Sequence, residues 1–304
     1  MKLMNTQNHL SPWSARWPKR VGLGLLLALA SLSSAFAQTT SLPPPPNALP
    51  TASRLRVWLD GADPLGRSDA VPNGHVVRVW VDKSGSDNHV YSDSDGVSAV
   101  YDRFGFRTGR GRTAGLRFDG DDVYQGIRRL SFEEGLTVFF VAHNRSNRDY
   151  NGILSLRGAP RLPSSFEIYW QRAQNPETQG NLVAALNRDN PANLFFVHRN
   201  DVGGAPQGGA PEIFVVRFHP AREQLSIRDA QNNVLETTRA RAELRDETLM
   251  VGLGFGVAPF GLEGTLGEVL VYDDRLDGYE MQDILLYLRS KWRRPLPVVV
   301  PGTR

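Results

Sequence analysis

Leu266-Gly267-Glu268-Val269-Leu270-Val271-Tyr272-Asp273, followed by Asp277-Gly278-Tyr279-Glu280 and then by Met281, Ile284, Leu285, Leu288 and Trp292, is the stretch whose reading decides the fold. Its first part is a β-branched and aromatic run bounded by polar turn residues, which reads as a strand. Its second part repeats apolar residues at helical spacing. Asp277 is placed to accept hydrogen bonds from the free amides of a first turn and Glu280 to reach back, which fixes the helix start. Pro295 ends it. The apolar stripe has to be buried, and the nearest apolar surface is the outside or edge of the sheets, so the helix is expected to lie as a lid on one of them. A helix that binds a partner is the functional rival.

Upstream, short apolar runs bounded by Gly, Asn, Asp or Pro recur with no helix-length segment between them. They are Leu55 to Leu59, Val76 to Val81, Gly115 to Phe118, Leu136 to His143, Phe166 to Gln171, Leu182 to Leu186, Leu194 to His198, Ile213 to Phe218, Leu225 to Arg228 and Leu249 to Phe255, before the closing strand. Such a succession implies antiparallel sheets packed face to face and disfavours a parallel α/β arrangement. Trp58 and Trp80 stand on strands that are apolar on both faces, so both are expected in central strands, packed against the opposite sheet and the helix.

Four pieces of this pattern resemble a known family. The closing strand and helix, the opening Leu55-Arg56-Val57-Trp58-Leu59-Asp60-Gly61-Ala62-Asp63-Pro64, the turn Val79-Trp80-Val81-Asp82-Lys83-Ser84-Gly85 with Asn88, and Leu116-Arg117-Phe118-Asp119-Gly120-Asp121-Asp122 followed by Leu136 to Ala142 resemble bacterial laminin-G-like, concanavalin A-like jelly-roll domains. The resemblance implies an all-β antiparallel sandwich with one C-terminal amphipathic helix and, loosely, recognition of glycans or cell surfaces. It does not reach residues 144 to 246, where a ligand-specific surface would be built, and fold alone does not fix function.

The N-terminus reads as an export signal. Lys2, Arg16, Lys19 and Arg20 precede the apolar run Val21 to Leu32, and Ala35-Phe36-Ala37 offers a small-x-small cleavage site. A run of 12 residues is too short for a hydrocarbon core, which needs about 20, so the mature chain is not expected to insert in a membrane. The expected organisation is a signal peptide over 1–37, a proline-rich linker over 38–52, one jelly-roll domain over 53–294 and a loose tail over 295–304, in an exported protein of the periplasm or the exterior. The full chain carries a formal charge of +3, but four of its 35 basic residues leave with the signal while all 32 acids stay. The remainder is near neutral, which argues against nucleic acid as a partner. The absence of cysteine excludes disulfides, thiolate catalysis and cysteine-bearing zinc sites.

The candidate site residues fall in two groups. On the strand Ser165 to Arg172, alternation puts Glu167, Tyr169 and Gln171 on one face, where a tyrosine flanked by polar groups could stack on a sugar ring and bond to it. Asp82, Asp87, Asn88, Asp93 and Asp95, with Asp102 further on, are dense enough in oxygen to suggest calcium, although the same residues equally serve as turn formers. Catalysis has less behind it. No paired-glutamate strand of the retaining glycosidases occurs, and Arg241-Ala242-Glu243-Leu244-Arg245 matches an alginate-lyase strand without that family's other motifs. Gly203-Gly204 and Gly208-Gly209 mark a loop that could border a groove. The expected function is a secreted, non-catalytic module binding carbohydrate or envelope glycan. A polysaccharide-degrading lyase or hydrolase of the same fold, and a structural or adhesive envelope protein, are the alternatives. Oligomeric state is left open.

Overall fold

The computed structural model describes residues 43–67, 70–108, 111–146, 148–158, 165–171, 181–187, 194–199, 209–254 and 260–292. The export signal, the C-terminal tail and most of the glycine-bordered loop lie outside the described residues. Among those described, the chain forms two antiparallel eight-stranded sheets and one α-helix. This is the sandwich architecture that the strand pattern and the resemblance predict.

Sheet A is built from β1 (Leu55–Asp60), β4 (Val100–Thr108), β5 (Gly111–Asp119), β7 (Leu136–Asn144), β12 (Glu212–His219), β13 (Gln224–Arg228), β14 (Val234–Arg239) and β16 (Glu263–Tyr272). Its order is β14-β13-β12-β7-β16-β5-β4. The strand β16 pairs with β7 along its length, and its other edge is divided, with β5 on Glu263 to Leu266 and β1 on Glu268 to Tyr272. Sheet B is built from β2 (Val79–Trp80), β3 (Val90–Tyr91), β6 (Tyr124–Leu130), β8 (Asn151–Arg157), β9 (Phe166–Gln171), β10 (Asn181–Leu186), β11 (Phe195–Arg199) and β15 (Glu247–Val251). Its order is β11-β10-β9-β8-β15-β6-β3-β2.

The inner faces of the two sheets meet in one apolar core that includes Trp80, Phe118, Tyr124, Phe140, Phe166 and Trp170. The outer face of sheet A is covered by α1 (Gly278–Trp292), whose Met281, Ile284, Leu285, Leu288 and Trp292 pack on Trp58, Phe106, Phe139, Leu270 and Tyr272. The central strand β7 is therefore apolar on both faces. The expected cap is present: Asp277 Oδ1 accepts from the amides of Tyr279 (2.8 Å) and Glu280 (2.9 Å), and Glu280 Oε2 accepts from the Asp277 amide (2.8 Å). Gly267, at the bulge between Leu266 and Glu268, makes room for the helix. A Cβ there would come within 2.8 Å of the Trp292 ring, and an alanine would push the last turn away.

Three expectations change. Trp58 and Trp80 are not on central strands: β1 holds only half of one edge of β16, and β2 is the last strand of sheet B. Each tryptophan is buried for a separate reason, Trp58 beneath α1 beside Tyr287 and Trp80 in the inner core against Tyr124. The run Val76 to Val81 yields only the two-residue β2 and an isolated bridge from Val76 to Val100. Part of the proline-rich stretch also packs on the fold, since Pro46–Ala48 and Pro50–Arg54 form 3₁₀ turns and Leu49 is buried in the cluster under α1.

Candidate functional site

With sheet A covered by α1, the outer face of sheet B is the broad surface left for recognition. Directly opposed residues in neighbouring antiparallel strands share a face and lie side by side. Tyr91, Gln125, Met250, Ser155, Glu167, Ala185 and Phe196 form one such row across seven strands. Arg129, Thr248 and Arg157 form a second, shorter row beside it.

The two rows differ in exposure from end to end. At the β9 and β10 end the face is closed, because Glu167 is fully buried and Tyr169 is 4% exposed. Tyr169 lies over Val183 and Ala185 and against the Tyr150 ring, which in turn meets Phe260 edge-on. Gln171 is half-buried. The alternation is as expected, with Phe166, Ile168 and Trp170 facing the core, but Glu167 and Tyr169 do not form an open sugar platform in this structure. Tyr150, brought in from outside the strand, packs on Tyr169.

The face opens at the β3, β6 and β15 end. A groove of about 380 Å³ is lined by Tyr91, Asp93, Gln125, Gly126, Ile127, Arg129, Arg157, Thr248 and Met250. Tyr91 is 36% and Ile127 64% exposed, and together they leave apolar surface in the groove. Arg129 is held at the rim, where Nη1 donates to the carbonyls of Gly158 (2.7 Å) and Asp246 (2.8 Å). Arg157 is 9% exposed. Its Nε and Nη2 are buried with no acceptor among the described residues. Burial lowers its pKa, while Glu167 on the next strand favours the charged form.

A larger hollow of about 710 Å³ lies at the end of the sandwich, but four of its six charged lining residues are held in ion pairs. Arg56 pairs with Asp273, Arg128 with Asp87 at 3.7 Å and Glu133 with Arg245 at 3.5 Å. It lacks an aromatic wall. The smaller groove combines ring, apolar and polar surface, as saccharide sites require.

The five residues considered for calcium are not brought together as one ligand set. Asp82 is 6% exposed, and its two oxygens accept from the amides of Trp58, Ser84 and Asn88 and from the Ser84 hydroxyl, at 2.7 to 2.9 Å. Asn88 donates to the Arg56 carbonyl at 2.7 Å. Asp87 sits at φ 55°, a left-handed conformation that aspartate tolerates in turns. Asp93 borders the groove and Asp95 begins a 3₁₀ turn, paired with Arg78 at 3.5 Å.

Among the described residues, the carboxylates that do gather are Asp119, Asp121 and Asp122, within 4.8 Å of one another. Asp122 accepts from the Asp119 amide at 2.8 Å, and burial, with repulsion from Asp119 and Asp121, pushes its pKa up to about 7. Because the folded value is raised, the native state holds the proton more tightly, and stability falls as pH rises from about 4 through 7. Asp122→Asn is expected to stabilise the protein by about 1–2 kcal/mol at pH 8, with the gain vanishing near pH 4. The full gap would be worth about 4 kcal/mol, but solvent screens the exposed Asp119 and Asp121. Urea unfolding at the two pH values measures this, and equal stabilisation at both would refute the account.

The lyase-like segment Arg241 to Arg245 is not a strand; it is irregular, ahead of β15. Arg241 pairs with Glu223, Arg245 with Glu133, and Leu244 is buried in the core. A strand presenting both arginines to a groove does not form there. Among the described residues, no helix is long and apolar enough to cross a membrane.

No protein-family model matches the sequence, and no curated protein matches it. Solved structures do match. The binding domain of Paraclostridial Mosquitocidal Protein 1 aligns over 79% of this chain and 53% of its own, with 11% identity and a TM-score of 0.51. The binding domain of botulinum neurotoxin serotype D aligns over 77% of this chain and 51% of its own, also with 11% identity and a TM-score of 0.51. The chain thus spans about half the length of these two binding-domain structures. Domain 4 of the extracellular arabinanase AbnA from Geobacillus stearothermophilus, solved with arabinotriose, aligns over 77% of this chain and 98% of its own, with 10% identity and a TM-score of 0.49. At these identities the likeness is one of fold.

Proposed function

We propose that the protein is an exported, non-catalytic module that recognises a glycan on the outer face of sheet B. The observation that carries this reading is the groove at the β3, β6 and β15 end, where the exposed Tyr91 and Ile127 stand beside Gln125, Thr248 and two arginines. An aromatic edge with neighbouring amide, hydroxyl and guanidinium groups suits a pyranose, which has an apolar face and a polar rim. The fold likeness to two binding domains supports recognition as the role.

The test is affinity electrophoresis of the purified protein through gels containing soluble plant, bacterial and animal polysaccharides, run with calcium and with chelator. The same polysaccharides are assayed for new reducing ends and unsaturated products. Retardation without products is the expected result, and Tyr91→Ala is expected to weaken it roughly ten-fold, about 1.4 kcal/mol. Products would replace this reading with the enzymatic one. Absence of both would favour a structural envelope protein, and retardation only with calcium would show that binding needs a cation.

A further inference from the structure

We propose that the groove takes an acidic saccharide, and that Arg157 is the residue that binds the sugar's carboxylate. The inference rests on the glycan reading above and names the chemical class of its ligand. Arg157 lies in the row Arg129, Thr248, Arg157, so its side chain leaves the sheet on the same face as the groove and forms part of its wall. More than nine-tenths of the residue is buried, yet Nε and Nη2 meet no acceptor among the described residues. Buried donors are almost always satisfied, and a guanidinium left without acceptors in an apolar setting is costly.

Burial lowers the Arg157 pKa and Glu167 on the neighbouring strand opposes that shift; an arginine guanidinium starts so far above neutrality that it remains a cation. A planar carboxylate fits the unused pair of donors, since the guanidinium fork and the carboxylate match in two parallel hydrogen bonds. Arg129 lines the same groove with its Nη1 fixed on backbone carbonyls, which holds a second positive charge at the rim. Tyr91 and Ile127 then provide the surface for the sugar ring, within the same hollow.

The proposal is tested with three carboxylated polymers, polygalacturonate, hyaluronate and colominate, each beside its methyl-esterified form. The wild-type protein is expected to bind at least one acid form ten-fold or more tighter than its ester. Arg157→Lys, which keeps the charge but loses the fork, is expected to remove most of that preference. Tyr91→Ala is expected to weaken acid and ester alike. Folding of Arg157→Lys is checked by its urea midpoint, and competition of the free uronate against its methyl ester on wild-type protein needs no variant.

Equal binding of acid and ester, sensitive to Tyr91→Ala, would overturn the proposal and leave the glycan reading standing. Binding of neither would overturn both. Dextran sulfate competing as well as the carboxylates would show a general charge effect and overturn the role of Arg157, as would an Arg157→Lys variant that binds like wild type.

Discussion

Replacing Glu268 by alanine is expected to cost about 3–5 kcal/mol of stability and to detach α1 from sheet A. Glu268 is fully buried just past the bulge at Gly267, opposite Asp60 of β1. Its Oε1 accepts from Trp58 Nε1 at 2.6 Å and Tyr287 Oη at 2.9 Å. Its Oε2 accepts from Trp292 Nε1 at 2.7 Å and Lys291 Nζ at 2.9 Å. Three of those four donors belong to the helix, so this one carboxylate joins it to the sheet.

Alanine would leave two indole N–H groups, a phenol and part of an ammonium without an acceptor, each a buried polar group that has lost its bond. Lys291 also pairs with Asp60 at 2.8 Å, and Lys83 with Asp60 and Asp63 at 3.0 Å each. Burial alone would raise the Asp60 pKa, but Lys291 and Lys83 outweigh it and hold Asp60 below the ordinary value. Its contribution is therefore complete above about pH 4 and is lost as pH falls through the lowered value. Urea denaturation followed by tryptophan fluorescence measures the Glu268 effect, because Trp58 and Trp292 both report on it. A loss under about 1 kcal/mol would mean that the helix is held by its apolar stripe alone.

The same cluster shows what was legible in the sequence. The closing strand, the capping box and the apolar stripe of α1 are local patterns, and each is found where the spacing puts it. Glu268 within the strand, and Lys291 on the helix, are polar residues in apolar settings. Their meeting depends on register, which sequence spacing does not supply.

The groove was harder still to read. The strand β6, Tyr124-Gln125-Gly126-Ile127-Arg128-Arg129-Leu130, is not among the expected runs, because a bulge opposite Thr248 and Met250 breaks its alternation. The strands β3, β4, β8 and β14 also lay outside the expected runs, being very short, interrupted by Gly105, continuously buried or largely exposed. Alternation did place Glu167 and Tyr169 outward on β9, but it carries no information on Tyr150 and Phe260, which close that end of the face. The one sequence signal for the groove was the spacing Gln125, Ile127, Arg129, a mixed polar and apolar edge that only becomes a site when Arg157 arrives from β8.

Asp82→Ala is the second large expected loss, about 3 kcal/mol, and it bears directly on whether the acidic turn is a metal site. The Asp82 carboxylate accepts from three backbone amides and one hydroxyl, and one of those amides, that of Trp58, belongs to β1. Hydrogen bonds to an ionised group contribute about 1.5–3 kcal/mol each, but the exposed part of the turn recovers some of its bonds from water, so the net loss is smaller than the sum. The Asp82 amide also donates to His89 Nδ1 at 3.0 Å, which leaves the whole turn braced on its own groups. If that bracing is the role of Asp82, the variant loses the same free energy in calcium and in chelator, and chelator leaves the wild-type protein unchanged. If instead Asp82 acts through a bound ion, chelator lowers the wild-type midpoint to that of the variant and has no further effect on Asp82→Ala. Four thermal melts, two proteins in two buffers, separate these outcomes. The saturated oxygens of Asp82 predict the first, because a carboxylate already accepting four hydrogen bonds would have to surrender at least one of them to coordinate a cation.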